Sequence, residues 1–300
     1  MPLESVPHLL RDCQAGGYAV GYFESWNLES LQGVIDAAEH TRSPIVIGFN
    51  GEFLGSQQRL ASERLILYGA LGSAAAQSSS VPCGLIFNEC PWDPCVLEAI
   101  EAGFNLVMPA DPSCSYEDYV QRVRRIVQYA HDRHVAVEAE LGELACGAAG
   151  RIDHPGQLTD AIAAERFVQE TGVDLLAVSV GNVHIHVSGE VDLDLERLAA
   201  IHQRVPVPLV LHGGTGITAD SLQEAIRLGV AKVNYGTYLK QRYLQAVRAA
   251  LLEQPSNPHE LLGMGGPGDV MVAGRLAVRD AVLERINLLG CCHKVPSELN

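Results

Sequence analysis

The sequence predicts an α/β barrel of eight parallel strands alternating with eight helices, and three observations point to it. Eight short runs rich in Val, Ile, Leu and Ala alternate with stretches that carry apolar residues at helical spacing. The runs are too apolar to be half exposed, as expected of parallel strands covered by helices on their outer face. The chain has 300 residues, and a barrel of this kind takes about 250, so residues 1–300 are expected to form one domain. The fold class is therefore read as α/β, a TIM (β/α)8 barrel with a short N-terminal helix and an extra C-terminal helix. An open doubly wound sheet is the competing arrangement.

The elements follow in order. Residues 5–15 read as a short amphipathic helix and 18–23 as the first strand. Asn27 is a plausible cap for a helix over 28–40, where Leu28, Leu31, Val34, Ile35 and Ala38 recur at helical spacing. Further strands are expected at 44–49, 81–87, 104–108 and 134–141, with helices near 57–77, 93–102 and 115–133. Asn88, Glu89 and Cys90 fall just past the third strand. Residues 142–157 hold four glycines and no apolar period, which reads as a mobile loop, and loops of that length in a barrel are usually lids or insertions. The last three strands are expected at 175–180, 207–212 and 231–235. Helices are expected from Thr159 to about 170, near 195–203 and 218–228, from Thr237 to about 253, and near 275–289.

Composition narrows the function. A formal net charge of −15 speaks against nucleic-acid or anionic-membrane partners, which call for basic patches. No run of about 18 apolar residues and no basic leader is present, so a cytoplasmic location is expected. The eight cysteines show no paired CxxC spacing, which disfavours a disulfide frame or an all-cysteine zinc site.

The chemistry gathers between residues 174 and 240. LLAVSVGNVHIH, PLVLHGGTGI and AKVNYGTYLK are apolar runs that end in glycine, with His184 and His212 at or just past the ends of the first two. Carboxyl ends of parallel strands open onto one face, so both histidines are candidate metal ligands. Gly213, Gly214, Thr215 and Gly216 make one strand-to-helix turn and residues 234–237 another. Such turns present backbone N–H groups and hydroxyls without steric interference, which a phosphate requires.

These motifs, with NLES (27–30) and VEAELGEL (137–144), run in an order that resembles the class II, zinc-dependent ketose-bisphosphate aldolases, including the fructose- and tagatose-bisphosphate enzymes. The resemblance spans nearly the whole chain. It implies a homodimer or homotetramer. It also implies a divalent metal, generally Zn2+, held by three histidines, and reversible cleavage of a phosphorylated ketose at C3–C4 into dihydroxyacetone phosphate and an aldehyde through a metal-stabilised enediolate. By the same resemblance Gly181, Gly213, Thr215, Asn234 and Thr237 fall on positions that hold the substrate's C1 phosphate, and Glu140 on a carboxylate near the metal.

The chain departs from the family after the third strand. An Asp-His pair, the acid/base residue and the first metal ligand, is replaced by Asn88-Glu89. An amide accepts no proton at neutral pH, so Asn88 cannot inherit the aspartate's role. Glu89 can replace the histidine, because two histidines and a glutamate are a sound catalytic zinc set. The expected ligands are then Glu89, His184 and His212, and the catalytic candidates are Asn88, Glu89, Glu140, His186 and Asp153, with Glu143 a further candidate for proton transfer. Ser188 stands where fructose-type enzymes often have lysine, and Ala110, followed by Asp111, where the family has a carboxylate. Besides the aldolase, two readings stay open: a metal-dependent sugar-phosphate isomerase or epimerase, and a non-catalytic sugar-phosphate-binding protein.

Overall fold

A computed structural model describes residues 3–111, 114–146, 156–184, 190–252 and 257–295; the side chains of residues 145, 146 and 184 fall outside it. The described strands are β1 (Val20–Ser25), β2 (Ile45–Asn50), β3 (Cys83–Cys90), β4 (Leu106–Pro109), β5 (Ala136–Leu141), β6 (Ala145–Cys146), β7 (Leu175–Val178), β8 (Val183–His184), β9 (Leu209–Leu211) and β10 (Val230–Tyr235). Eight close into a barrel in the order β1-β10-β9-β7-β5-β4-β3-β2, while β6 and β8 pair separately. The helices are α1 (Val6–Ala15), α2 (Leu28–Thr41), α3 (Gly51–Gly55), α4 (Leu65–Ser78), α5 (Asp93–Glu101), α6 (Tyr116–His131), α7 (Ala161–Thr171), α8 (Leu195–His202), α9 (Ala219–Arg227), α10 (Thr237–Ala250), α11 (Pro258–Leu261) and α12 (Val270–Leu289). This is a TIM barrel with an N-terminal helix before it and α12 after it.

Local chemistry explains the helix starts. Asn27 and Ser30 form a reciprocal capping box on α2, and Asp160, Asp194 and Asp269 cap α7, α8 and α12 with side-chain oxygens. Gly33 lets α12 approach α2 closely, since a Cβ there would meet the Arg275 carbonyl at 2.5 Å. Arg275 then grips Asp36 through two hydrogen bonds of 2.6 Å.

The strands separate two apolar regions. Their outer faces pack under the helices in one large cluster. Inside, Val20, Tyr22, Val46, Ile86, Leu106 and Leu175 belong to a second cluster, sealed at the N-terminal end by Val6, Leu10 and Cys13 of α1. Burial on both faces is why these strands read as continuous apolar runs instead of alternating ones.

Some boundaries differ from the sequence reading. The helix expected over 57–77 begins only at Leu65: residues 56–64 lack an apolar face, Leu60 is fully exposed, and Asn50 instead caps the short α3. Asn88, Glu89 and Cys90 lie within β3, not past it. The stretch expected as a loop over 142–157 contains β6, paired in parallel with β8, and a backbone bridge from Glu143 to Gln157. α12 begins at Val270, earlier than expected, because Asp269 caps it there. Among the described residues no helix is long and apolar enough to cross a membrane.

Candidate active site

Toward the C-terminal ends of β1, β2, β3, β5, β9 and β10 the barrel interior turns polar. Glu24 on β1, Asn50 on β2, Asn88 on β3, Glu138 on β5, His212 just after β9, and Lys232 and Asn234 on β10 are all buried at the mouth. Glu140, two residues beyond Glu138 on β5, is half-buried there.

His212 is the hub. Its Nδ1 lies 2.8 Å from Glu89 Oε1 and its Nε2 3.0 Å from Glu138 Oε1. Burial alone depresses an imidazolium, but the hydrogen bonds to Glu138 and Glu89 outweigh it and raise His212 to about 10. Lys232 Nζ donates to Glu138 Oε2 at 2.8 Å and to Asn234 Oδ1 at 2.7 Å. An ammonium only donates, so Asn234 must turn its Oδ1 to Lys232, which leaves its Nδ2 a buried donor without a partner among the described residues.

Glu89 reaches His212 because of its backbone. It adopts φ 54°, the left-handed region that L residues avoid, and the β3–β4 register shifts between Phe87 and Cys90. Such a bulge re-aims a side chain. Asn50 steadies the result: its Oδ1 takes the Phe53 N–H while its Nδ2 donates to Glu89 Oε2 at 2.9 Å. Behind the bulge Arg122 holds the Cys90 carbonyl at 3.2 Å and Asp93 at 2.5 Å.

Glu140 behaves differently from Glu138. Burial, together with the charges of Glu89, Glu138 and Glu143 and despite His212, pushes it up to about 7, and its buried Oε1 has no hydrogen-bond partner among the described residues. Asn88 Oδ1 is likewise buried without a partner among the described residues. A buried polar atom of this kind calls for a partner beyond the described residues.

The glycine turns lie beside this network. Gly213 (φ 66°) opens the 3-10 turn Gly214–Gly216 that carries Thr215, and Gly181 (φ 98°) follows β7. Asn182 ties the two loops together by donating to the His212 carbonyl at 2.9 Å. Thr237 opens α10 after Gly236, with no side-chain cap, so its first backbone N–H groups remain available to an anion.

The structure thus brings Glu89, Asn88, Glu140 and His212 to one mouth, with Gly181, Gly213, Thr215, Asn234 and Thr237 on the adjoining rim. His184 lies in β8, its side chain outside the described part, and His186, Asp153 and Ser188 fall outside the described residues. Among the described residues no three His, Cys, Asp or Glu side chains form a metal set. Glu89 Oε1 and His212 Nδ1 are donors of kinds that zinc takes, but here they share a hydrogen bond of 2.8 Å, so ligation would require the imidazole to give up the proton between them.

Sequence reasoning passed over Glu24, Asn50, Lys232 and Lys240. A signal existed for Lys232, because a lysine inside a strand apolar on both faces must be paired, and it shares a strand face with Asn234. The cavity on the opposite end of the barrel, beside Asn105, His131 and Asp174, is structural: Asp174 accepts there from the Val137 N–H and pairs with His131.

Comparison with known proteins agrees with this architecture. The YdjI aldolase from Escherichia coli K12 is 30% identical, with a TM-score of 0.79 over 99% of this chain and 100% of that one. A candidate fructose-1,6-biphosphate aldolase from Coccidioides immitis is 27% identical, with a TM-score of 0.81 over 97% and 98%. Fructose-bisphosphate aldolase from Campylobacter jejuni, at 22% identity and a TM-score of 0.76 over 96% and 95%, shares the fold. The family model for class-II fructose-bisphosphate aldolase matches residues 4–294, and with that match over nearly its whole length the chain belongs to the class II fructose-bisphosphate aldolase family, as an aldolase-like carbon–carbon lyase.

Proposed function

We propose that the protein cleaves, and in reverse forms, the C3–C4 bond of a phosphorylated ketose, giving dihydroxyacetone phosphate and an aldehyde. The observation that carries this reading is the contact of Glu89 and His212 beside a carboxyl, Glu140, poised near neutrality. Glu89, His184 and His212 would hold a divalent cation, zinc by its donors, which when bound supplies Lewis-acid polarisation of the substrate carbonyl.

The chain's own residues do the rest. Gly181, Gly213, Thr215, Thr237 and the Asn234 amide hold the ester phosphate, with the N-terminal dipole of α10 offsetting its charge. Asn88 accepts a hydrogen bond from a substrate hydroxyl and orients it, since it cannot take the proton. Glu140 takes the proton of the C4 hydroxyl as the C3–C4 bond breaks and C4 becomes the aldehyde carbonyl. The electron pair passes to C3, which then takes up a proton to complete dihydroxyacetone phosphate. A base titrating near 7 is well matched to this transfer at physiological pH. Glu138 and Lys232 do not touch substrate; they fix the His212 ring, as carboxylates behind ligating histidines do.

The reading supposes a soluble small-molecule enzyme assembled as a homodimer or homotetramer. It is tested by elemental analysis of purified protein, followed by a screen of phosphorylated ketoses for release of triose phosphate. Bound divalent metal at about one per chain and triose phosphate from at least one ketose ester are expected. A rearranged sugar of unchanged carbon number would replace the lyase with an isomerase.

A further inference from the structure

The segments that carry Glu140 and His184 leave neighbouring strands, β5 and β7, and one residue that takes no part in the mechanism ties them together. Thr159, just before the Asp160 cap of α7, is buried. Its Oγ1 donates to the carbonyl of Leu141, the residue after Glu140, and accepts from the Ser179 N–H at 2.8 Å. Its own N–H donates to the Ser179 carbonyl at 2.8 Å, and its carbonyl accepts from Arg197 of α8 at 3.1 Å. A hydroxyl can donate and accept at once, so this one side chain bridges the C-terminal ends of β5 and β7.

Further bonds carry the tie outward to the site. Ser179 Oγ donates to the Glu143 carbonyl at 3.1 Å, and Glu143 and Gln157 exchange backbone hydrogen bonds of 2.8 and 2.7 Å. Beyond them β6 pairs with β8, with Cys146 opposite His184. On the other side the Val180 N–H donates to Asn182 Oδ1 at 2.9 Å, and Asn182 Nδ2 donates to the His212 carbonyl at 2.9 Å. Gly142, at φ 100°, lets the stem fold this tightly, because an added Cβ there would meet the Gln157 carbonyl at 2.7 Å and Thr159 Oγ1 at 2.9 Å. Glu140, His184 and His212 each stand within two residues of a member of this network.

We infer that Thr159 is a positioning residue for the metal site: its hydroxyl fixes the His184 backbone against Glu140 and His212, and the stem of the 142–157 loop is a built part of that site. The inference rests on the ligand set proposed above. Ligands must be held to about 0.5 Å to grip one ion, and groups behind them commonly carry about 10–100-fold in metal affinity. Valine at this position keeps the shape and loses both Oγ1 bonds, whereas serine keeps the hydroxyl.

The test titrates metal-stripped protein with Zn2+ against a competing chelator and records the visible absorption of the Co2+ form, both well below the thermal melt of each variant. Thr159→Val should bind zinc at least about tenfold more weakly and change the cobalt spectrum, while Thr159→Ser stays within about threefold of the wild type. An unchanged zinc affinity and cobalt spectrum in folded Thr159→Val overturns the inference. Equal weakening in Thr159→Ser also overturns it, since the effect would then come from the packing of the methyl group. If Thr159→Val does not fold, Ser179→Ala, which removes only the bond to Glu143, carries the same test: a loss of about threefold or more is expected, and no loss overturns the inference. A wild-type chain that binds no zinc, or a His184→Ala variant that binds it as tightly, fails the ligand set itself, and the inference falls with it.

Discussion

The two ends of the barrel interior are built by the same strands and differ completely in how they are held together. Toward the N-terminal end, Val20, Val46, Ile86, Leu106 and Leu175 pack on one another and on α1. Toward the mouth, two or four residues further along, the chain of contacts runs Asn50, Glu89, His212, Glu138, Lys232, Asn234. The apolar end needs only volume and shape, so its contacts degrade gradually. Along that chain each group depends on a named neighbour, and losing one member leaves another buried and uncompensated. Rigidity is supplied by one end and chemistry by the other, on a single set of strands.

The largest effect should come from Lys232→Met, which keeps the volume but strands Glu138 as a buried charge. A loss of about 3–5 kcal/mol in urea unfolding is expected, and the double variant Lys232→Met/Glu138→Leu should recover much of it. A single-variant loss under about 1 kcal/mol would mean that the polar end is no more interdependent than the apolar one. Leu175→Ala probes the other end. Losing a buried leucine there should cost about 2–4 kcal/mol, with kcat/KM for the best ketose ester changed less than about twofold, because no group at the mouth moves. A large fall in kcat/KM would show that the two ends are mechanically coupled.

How much of this was legible in the sequence follows from the same contrast. The apolar end is written locally: runs such as PIVIGF and LLAV declare strands buried on both faces, and the order of strands and helices gave the barrel. His212 was legible from PLVLHGGTG and Glu89 from its place after the third strand. The bulge that carries Glu89 was not, because it is a matter of register between β3 and β4 and no local pattern encodes that. The Glu138–Lys232 pair joins residues 94 apart in the chain, so neither residue announces its partner. The late start of α4 was not legible because nothing in residues 57–64 marks a break, and only the fold shows that no element covers Leu60.

A smaller effect distinguishes the two glutamates of β5. In the folded chain Glu140 titrates near 7 against a normal 4.5, so its contribution to stability is complete below 4.5 and is lost as pH rises through 7. Glu140→Gln lacks that loss. Its stability relative to the wild type should therefore climb between pH 4.5 and 7 and level off above, by about 1–3 kcal/mol, while triose phosphate release falls by about a hundredfold or more. Parallel stability curves across that range would show that Glu140 is ionised without penalty, and would remove it as the base.

The smallest expected effect concerns backbone strain, which the mouth contains at Glu89 and the strands of the apolar end do not. Comparing Glu89→Ala with Glu89→Gly isolates it. Both variants lose the carboxylate, both release His212 and Asn50 from it, and both should lose most bound metal. They differ in that glycine adopts φ 54° freely whereas alanine does not, so the glycine variant should be more stable by about 1 kcal/mol. In an ordinary strand the order is reversed, because glycine there forfeits more chain entropy on folding. An alanine variant equal to or more stable than the glycine one would mean that the side chain, not the fold, imposes the left-handed turn. The carboxylate would then be pulled into place by His212, and the bulge would be an effect of the site instead of the device that builds it.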